Sequence, residues 1–367
     1  MFRLSFLLFL TLAFLTGCKK PTEPPPPNNG PDTTSHDFIW TIDTLGDGNA
    51  SILKDVCIID ENDVWAVGEI YLKDTSGAIE YPAYGAAHWD GVRWTLKRLP
   101  AQAPSYVTNL VPTGVFAFGS NEIWLASGGV HRFNGTSVTD SYWINPFPGN
   151  PSPILSEGQR ALRLWGKSSN DLYAVGSAGG IAHFDGTSWM KLESGTTVDL
   201  TDVWGSPDGS VVWACGYSSS YSESALLTLK NGTSSTIWSM TNPGSPQPYA
   251  GLIQSMWGPV DDSILIVGGE GLYLHRMDGT GEGHKLPLSL GAFPGRVRGT
   301  SSSDVFIVGY GGMIWHFNGA TWHKYESVSS PTLALYSVVS RGDLVLAVGA
   351  EHSGISSRAI ITVGRRR

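Results

Sequence analysis

Short apolar runs, each opening on a polar residue and closing on a small one, punctuate the chain at intervals from residue 63 onward. Residues 63–68 read DVWAVG, 122–127 EIWLAS, 171–176 DLYAVG, 210–216 SVVWACG, 263–268 SILIVG, 304–309 DVFIVG and 343–349 DLVLAVG. The runs are too short for helices, rich in β-branched and aromatic residues, and bounded by turn formers, so they are predicted to be buried strands. No 12-residue stretch carries a convincing helical period. Their last positions (68, 127, 176, 216, 268, 309, 349) lie 59, 49, 40, 52, 41 and 40 residues apart.

Three further segments recur around each run. Before it stands an L-x-x-[VM]-W-G element, clearest at 162–166, 200–205 and 253–258. After it, six Asx-Gly pairs at 90–91, 134–135, 185–186, 231–232, 278–279 and 318–319 predict tight hairpins with both turn residues at positive φ. A fourth segment carries Trp94, Trp189 or Trp322. Four short strands per unit, repeated seven times at this spacing, predict an all-β fold: a seven-bladed β-propeller of four-stranded antiparallel blades. The seventh unit lacks its fourth strand, since only 359–363 follows the last run. Residues 38–45, with Trp40, have the character of the missing one. The N-terminal strand is therefore expected to complete the last blade and close the ring, giving a propeller domain over 37–367.

The D-V-W-A-V-G and H-F-D-G-x-x-W elements resemble those of bacterial repeat β-propellers over nearly all of this region. The G-H to W-D spacing of WD repeats is absent, and Asp185 and Gly186 are adjacent, unlike the S-x-D-x-G-x-T-W box of sialidases. The resemblance implies a fold and carries no activity with it.

The first residues read differently. One Arg and an apolar run over 4–14 precede Leu15-Thr16-Gly17-Cys18, which resembles the lipobox of bacterial lipoproteins. The run is shorter than the roughly 20 residues that span a bilayer. Residues 1–17 are thus expected to be a lipoprotein signal peptide, with Cys18 the lipidated anchor. Pro-rich residues 18–36 would form an extended tether. The implied address is the bacterial cell envelope, at the outer membrane, with the periplasmic and the surface-exposed sides both open.

Composition agrees. Gly 45 and Pro 22 make up about 18% of 367 residues against a usual ~12%, and charged residues are only 15% against ~25%. A net charge of -8 offers no basic field for a phosphate backbone, so nucleic acid is excluded as a first partner.

Long inserts follow the second and fourth strands, which places them all on one face of the disc. Loops of that length in a compact domain point to function. This face is the candidate ligand-binding surface, through Tyr71, Tyr81, Tyr84, Tyr142, Trp143, Phe147, Glu157, Tyr221, Glu223 and Tyr249. Such aromatics either anchor a protein or glycan partner or fold back to pin their own loops. A non-catalytic binding module follows from the first possibility. The alternative is a carbohydrate-active enzyme with carboxylates such as Glu80, Glu157, Glu223 or Asp74 converging near the axis.

Trp165, Trp204, Trp257 and Arg298 occupy equivalent first-strand positions, with Cys57 and Phe118 placed alike in the first two units. They line a central channel or fill the space between blades, Arg298 serving as an anion contact or as a satisfied interior guanidinium. His88, His131, His183, His275 and His316 recur in the third strands. Adjacent sheets lie about 10 Å apart, so such histidines cannot share a metal ligated at ~2.1 Å, and neither metal nor cofactor is expected. Cys57 and Cys215 fall in blades too distant for a disulfide and are expected as buried thiols.

Overall fold

The computed structural model describes residues 33–47, 50–103, 105–143, 154–156, 158–241, 249–260 and 262–367. Cys18, Phe147 and Glu157 lie outside the described residues.

Seven four-stranded antiparallel sheets form, each with strands a to d in order. Blade 1 comprises Ile52–Asp60, Asp63–Ile70, Tyr84–Trp89 and Trp94–Lys97. Blade 2 comprises Gly114–Gly119, Glu122–Ser127, Gly129–Phe133 and Val138–Tyr142. Blade 3 comprises Ala161–Ser168, Asp171–Gly176, Ile181–Phe184 and Trp189–Leu192. Blade 4 comprises Leu200–Gly205, Val212–Tyr217, Ser224–Lys230 and Thr233–Ser239. Blade 5 comprises Ile253–Val260, Ser263–Gly268, Gly271–Arg276 and His284–Leu286. Blade 6 comprises Pro294–Ser301, Asp304–Gly309, Ile314–Phe317 and Trp322–Lys324. Blade 7 comprises Leu333–Arg341, Leu344–Ser353 and Ser356–Arg366, with Phe38–Leu45 as its outer strand.

That outer strand pairs with Ser356–Arg366 from Phe38↔Arg366 to Leu45↔Ala359, which closes the ring as expected. Strand a of each blade touches strand a of both neighbours, so the seven inner strands surround the axis. The b-to-c and d-to-a connections emerge on one face, here the loop face; the a-to-b and c-to-d connections form the turn face. A small hairpin, Pro100–Gln102 paired with Val107–Asn109, adds to the loop face between blades 1 and 2.

The apolar runs are the b strands. Each lies between a and c of its own blade and under neighbouring blades on both sides, hence its continuous rather than alternating burial, as in Asp304–Gly309. The closing Gly has a steric cause. In six blades strand a carries a bulge near the start of its pairing, between Leu53/Asp55, Ala161/Arg163, Leu200/Asp202, Ile253/Ser255, Pro294/Arg296 and Leu335/Ser337. The bulge drives a carbonyl into the end of strand b. A Cβ on Gly176 would overlap the Arg160 oxygen, and one on Gly349 the Ala334 oxygen. Blade 2 has no bulge there, and its b strand ends on Ser127 instead.

The Trp-Gly pairs are likewise one device spread over two blades. The Trp165 ring of blade 3 lies on Gly205 of blade 4, and Trp257 of blade 5 on Gly299 of blade 6. The Trp204 indole donates to the Gly258 carbonyl at 2.7 Å. At roughly 25 cal/mol per Å² and 150–250 Å² per ring, each buried Trp contributes on the order of 4–6 kcal/mol of burial. These three residues therefore fill the spaces between blades.

On the turn face, the histidines and the b-strand aspartates explain each other. His88 bonds Asp63 at 2.9 Å and stacks on Trp65 at 4.2 Å; His183 bonds Asp171 at 2.8 Å and stacks on Tyr173 at 4.2 Å; His316 bonds Asp304 at 3.0 Å and stacks on Phe306 at 4.4 Å. Only these three share a register position. His131 pairs with Leu125 and His275 with Ile264, one residue to either side of the equivalent site. Among the described residues no group of His, Cys, Asp or Glu is arranged to hold a metal.

The Asx-Gly turns differ from expectation. Only Asn231-Gly232 has both residues at positive φ; at Asp90, Asn134, Asp185, Asp278 and Asn318 the Gly alone is left-handed. The Asx side chain accounts for this by folding over the turn. Asp185 Oδ1 accepts the N–H groups of Thr187 and Ser188, both at 2.8 Å, a wider Asx turn that a two-residue hairpin cannot accommodate.

Candidate functional site

The bulges also build the centre of the molecule. Strand a is the inner edge of each sheet, so its outward N–H groups have no neighbouring strand to bond. At three of the six bulges the residue after the bulge supplies that partner. Asp55 accepts from the Val115 N–H at 3.1 Å, Asp202 from the Met256 N–H at 3.1 Å, and Ser255 from the Val297 N–H at 3.1 Å, in each case bridging to the next blade. Ser337 closes the circle by donating to Asp55 at 2.6 Å.

Asp202 is the most heavily used of these. It binds Arg296 at 2.5 Å, Ser255 at 2.5 Å, and Arg298 through both oxygens at 2.7 and 3.0 Å. Burial pushes its carboxyl up, but the two guanidinium groups outweigh that and hold it below the ordinary carboxylate range. Arg298 also lies 4.9 Å over the Trp204 ring. Of the two roles expected for Arg298, it fills the interior one, and its donors are not turned to a channel ligand. Its counterparts by register in blades 1 and 2 are Cys57 and Phe116, not Phe118; Phe118 lies against Gly166. Cys215 is buried and Cys57 half-buried, both free, with their thiols pushed up by burial.

The bulge residues themselves touch around the loop-face end of the axis. Thr201 donates to the Gln254 carbonyl at 3.1 Å and Gln254 to the Gly295 carbonyl at 3.3 Å. Lys54 lies 5.1 Å from the Tyr336 ring centroid. From Tyr336 an arc of rings crosses four blades. Tyr336 meets Tyr310 at 6.0 Å, Tyr310 meets Phe293 at 6.2 Å, Phe293 meets Tyr217 at 6.1 Å, and Tyr217 stacks on Tyr221 at 5.7 Å. Tyr221 and Tyr310 remain 64% and 48% exposed. Tyr336 also bonds His352 at 3.1 Å, on the projecting hairpin of blade 7. Burial and neighbouring hydroxyls push Tyr217 and Tyr336 up to about 12, so both are neutral donors at any physiological pH.

Tyr221 is held in an uncommon conformation, with φ of +58°. Its N–H donates to the Ser218 carbonyl at 2.8 Å, and the Ser218 N–H to the Glu223 carbonyl at 2.9 Å, a closed loop that fixes the ring outward. Glu223 serves this loop through its backbone.

The other expected face residues divide. Tyr71 donates to Glu69 and meets the exposed Tyr81 edge-on at 5.6 Å. Tyr84 donates to Glu80 at 3.0 Å under Arg98, which bonds the same carboxylate at 3.1 Å, so this cluster pins its own loop. Asp74 closes a turn through Ser76 and Ala78. Tyr142 packs among Trp124, Phe184 and Trp189, and Trp143 against His131, in the seams beside blade 2. Tyr249 is 2% exposed between Trp238 and Tyr273. Tyr142, Trp143 and Tyr249 thus belong to packing rather than to a binding surface, because each ring finds apolar partners between sheets. Tyr217, Phe293, Tyr310, Tyr336 and Lys54 were not singled out from the sequence. The usable signal was Tyr directly after the closing Gly of a b strand, at Gly216-Tyr217 and Gly309-Tyr310.

This architecture defines a seven-bladed β-propeller. No protein-family model matches the chain, and no curated protein matches it by sequence. Solved structures do. The chain is similar to YCF48 bound to a D1 peptide, at 15% identity and a TM-score of 0.61 over 92% of this chain and 100% of that one. It is similar to the WD40 β-propeller domain of Doa1, at 12% identity and 0.57 over 86% and 96%. It is also similar to YCF48 from Cyanidioschyzon merolae, at 17% and 0.55 over 89% and 98%. At these identities the likeness is one of fold.

Proposed function

We propose that this chain is a non-catalytic interaction module of the bacterial cell envelope, anchored through a lipid on Cys18, that takes a protein partner on its loop face. The aromatic arc from Tyr221 to Tyr336 carries the reading. Five rings crossing four blades, two of them largely exposed, form an interface anchor of the kind Tyr supplies at low entropic cost. Successive rings from Tyr217 to Tyr336 stand at 86°, 71° and 85° to one another. Perpendicular rings make notches for side chains, whereas a sugar needs a flat platform, which favours protein over glycan. The peptide held by one of the similar propellers accords with this.

The direction of the face agrees with an anchor. Residues entering the domain cross the turn face: Thr34 donates to the Ser303 carbonyl at 2.6 Å and its N–H to the Asn318 carbonyl at 3.1 Å. The described chain thus enters the domain on the face opposite the loop face. Among the described residues no helix is long and apolar enough to cross a membrane.

The test is a crosslinking pull-down with the full chain in its native envelope, beside a glycan array, comparing wild type with a Tyr221→Ala/Tyr310→Ala double variant. A protein captured by wild type and lost in the variant at unchanged Tm supports the reading. Equal capture by both, or a glycan signal alone, overturns it. For the anchor, Cys18→Ala should move the protein from the membrane fraction to the soluble one and abolish fatty-acid labelling.

A further inference from the structure

The charges at the loop-face end of the axis do not balance. Four cations, Lys54, Arg163, Arg296 and Arg298, meet three carboxylates, Asp55, Glu69 and Asp202, within a chain whose net charge is -8. All three carboxylates are already engaged. Asp202 holds Arg296 and Arg298, while Asp55 takes the Ser337 hydroxyl and the N–H groups of Val56 and Val115.

Lys54 and Arg163 are left over. Arg163 donates through Nη1 to the carbonyls of Thr113 and, at 2.8 Å, Leu162; its buried Nε has no partner, and no carboxylate bonds it. Lys54 is half-buried beside the Tyr336 ring, with no hydrogen-bond acceptor on its amine among the described residues. The one carboxylate that acts on it is Glu69, which is occupied by the Tyr71 hydroxyl.

The two cations flank the start of the inner strand of blade 2, where Arg163 donates to the Thr113 carbonyl and Asp55, next to Lys54, accepts the Val115 N–H. Burial, then the charge of Arg163, pushes the Lys54 ammonium below its ordinary range; burial, then Arg296, pushes Arg163 down to about 10. Two dehydrated cations, neither of them hydrogen-bonded to a carboxylate and one of them at the end of an aromatic arc, form a receptor for an anion.

We infer that the partner presents a carboxylate, which is received between Lys54 and Arg163 while its neighbouring side chains lie along the rings from Tyr336 to Tyr221. This deepens the proposed function and rests on it. A carboxylate supplies two oxygens, one for the Lys54 amine and one for the Arg163 fork, and removes the repulsion between them. A chain terminus or an acidic side chain carries the same group.

The experiment uses N-acetylated random octapeptide libraries against the full-length protein, in three forms: free C-terminus without acidic residues, C-terminal amide with acidic residues, and C-terminal amide without them. Capture of the first form over the third assigns a chain terminus, and of the second over the third an acidic side chain. Lys54→Met keeps the stem against Tyr336 and deletes the charge; it should weaken carboxylate peptides about 10- to 100-fold and leave the neutral form unchanged. Lys54→Arg should restore most of the loss.

Neutral peptides captured as well as acidic ones, with tyrosine dependence intact, overturn the carboxylate clamp and spare the arc. Equal loss of all three forms in Lys54→Met overturns it as well. Failure of wild type to capture any form overturns both readings.

Discussion

The two faces of the disc are built by opposite rules. On the turn face the same contacts recur blade after blade: His88, His183 and His316 each bond the aspartate that opens the neighbouring strand, and Asx side chains cap the c-to-d turns. On the loop face the ring contacts are each made once. Its rings come from a b-to-c loop, two strand ends, a d-to-a connection and a bulge. A contact repeated around a ring answers a need that every blade shares, which is to pair edges and fill seams. A contact made once answers no such need, and it is there that selection for a partner can act without loosening the fold.

The sharpest way to break the comparison is at the axis, where repeated backbone contacts meet an unrepeated ion cluster. Asp202→Ala strands Arg296 and Arg298 without a counterion and removes the acceptor of the Met256 N–H. Breaking a buried pair this way costs about 3–5 kcal/mol, so chemical denaturation should show a large fall in midpoint. A loss under about 1 kcal/mol would mean that the cluster is solvated, with little part in stability.

Acid tests the buried histidines. Burial lowers His131 to about 4, and burial followed by the charge of His316 lowers His36 to about 4. Both stay neutral in the fold, whereas an unfolded histidine takes up its proton near 6.5. Below that value the unfolded chain binds more protons, so stability is fully present above about 6.5 and falls towards pH 4. His131, fully buried, contributes on the order of 3 kcal/mol to that fall. Asp202 works in the same direction at lower pH, its stabilisation being lost as pH falls below the unfolded carboxylate range. Urea midpoints at pH 7, 5.5 and 4.5 should decline steadily; a flat profile would mean that these rings are protonated in the folded state.

A third measurement compares blades. Gly176→Ala forces a methyl group onto the Arg160 carbonyl and should cost about 1–3 kcal/mol. Ser127→Ala occupies the same position in the blade without the bulge and gives up only a long bond from the Val111 N–H at 3.3 Å, so it should cost less than about 1 kcal/mol. Equal costs would disconnect the closing glycine from the bulge.

That pair also shows what a sequence can disclose. The b strands were legible because burial on both faces makes them continuously apolar, and the ring closure because a missing strand must be found elsewhere. The histidines were legible as structural, though His131 and His275 are out of step, since a one-residue offset in register leaves no mark on spacing. The turns were misread because the Asx side chain, not its backbone, makes the turn. The arc was hidden for a deeper reason. Tyr217, Phe293, Tyr310 and Tyr336 sit in three different structural contexts up to 119 residues apart, and only the closed ring brings them together. Tyr249 and Tyr221 both read as loop aromatics. Which one turns inward depends on whether apolar neighbours such as Trp238 and Tyr273 lie within reach.

The smallest effect is the most telling about the loop face. Tyr221→Ala and Tyr221→Gly delete the same ring and the same stacking on Tyr217, so they differ only in how readily the new residue adopts a φ of +58°. Gly does so without penalty, whereas Ala retains a Cβ, so the Gly variant should be the more stable by about 1 kcal/mol. Capture of the partner should be equally lost in both. A more stable protein that no longer binds would mark Tyr221 as a residue whose conformation is held against local preference for the sake of recognition. Were the two variants to match in stability, the loop would be relaxing around either residue, and the outward ring would owe nothing to a fixed backbone.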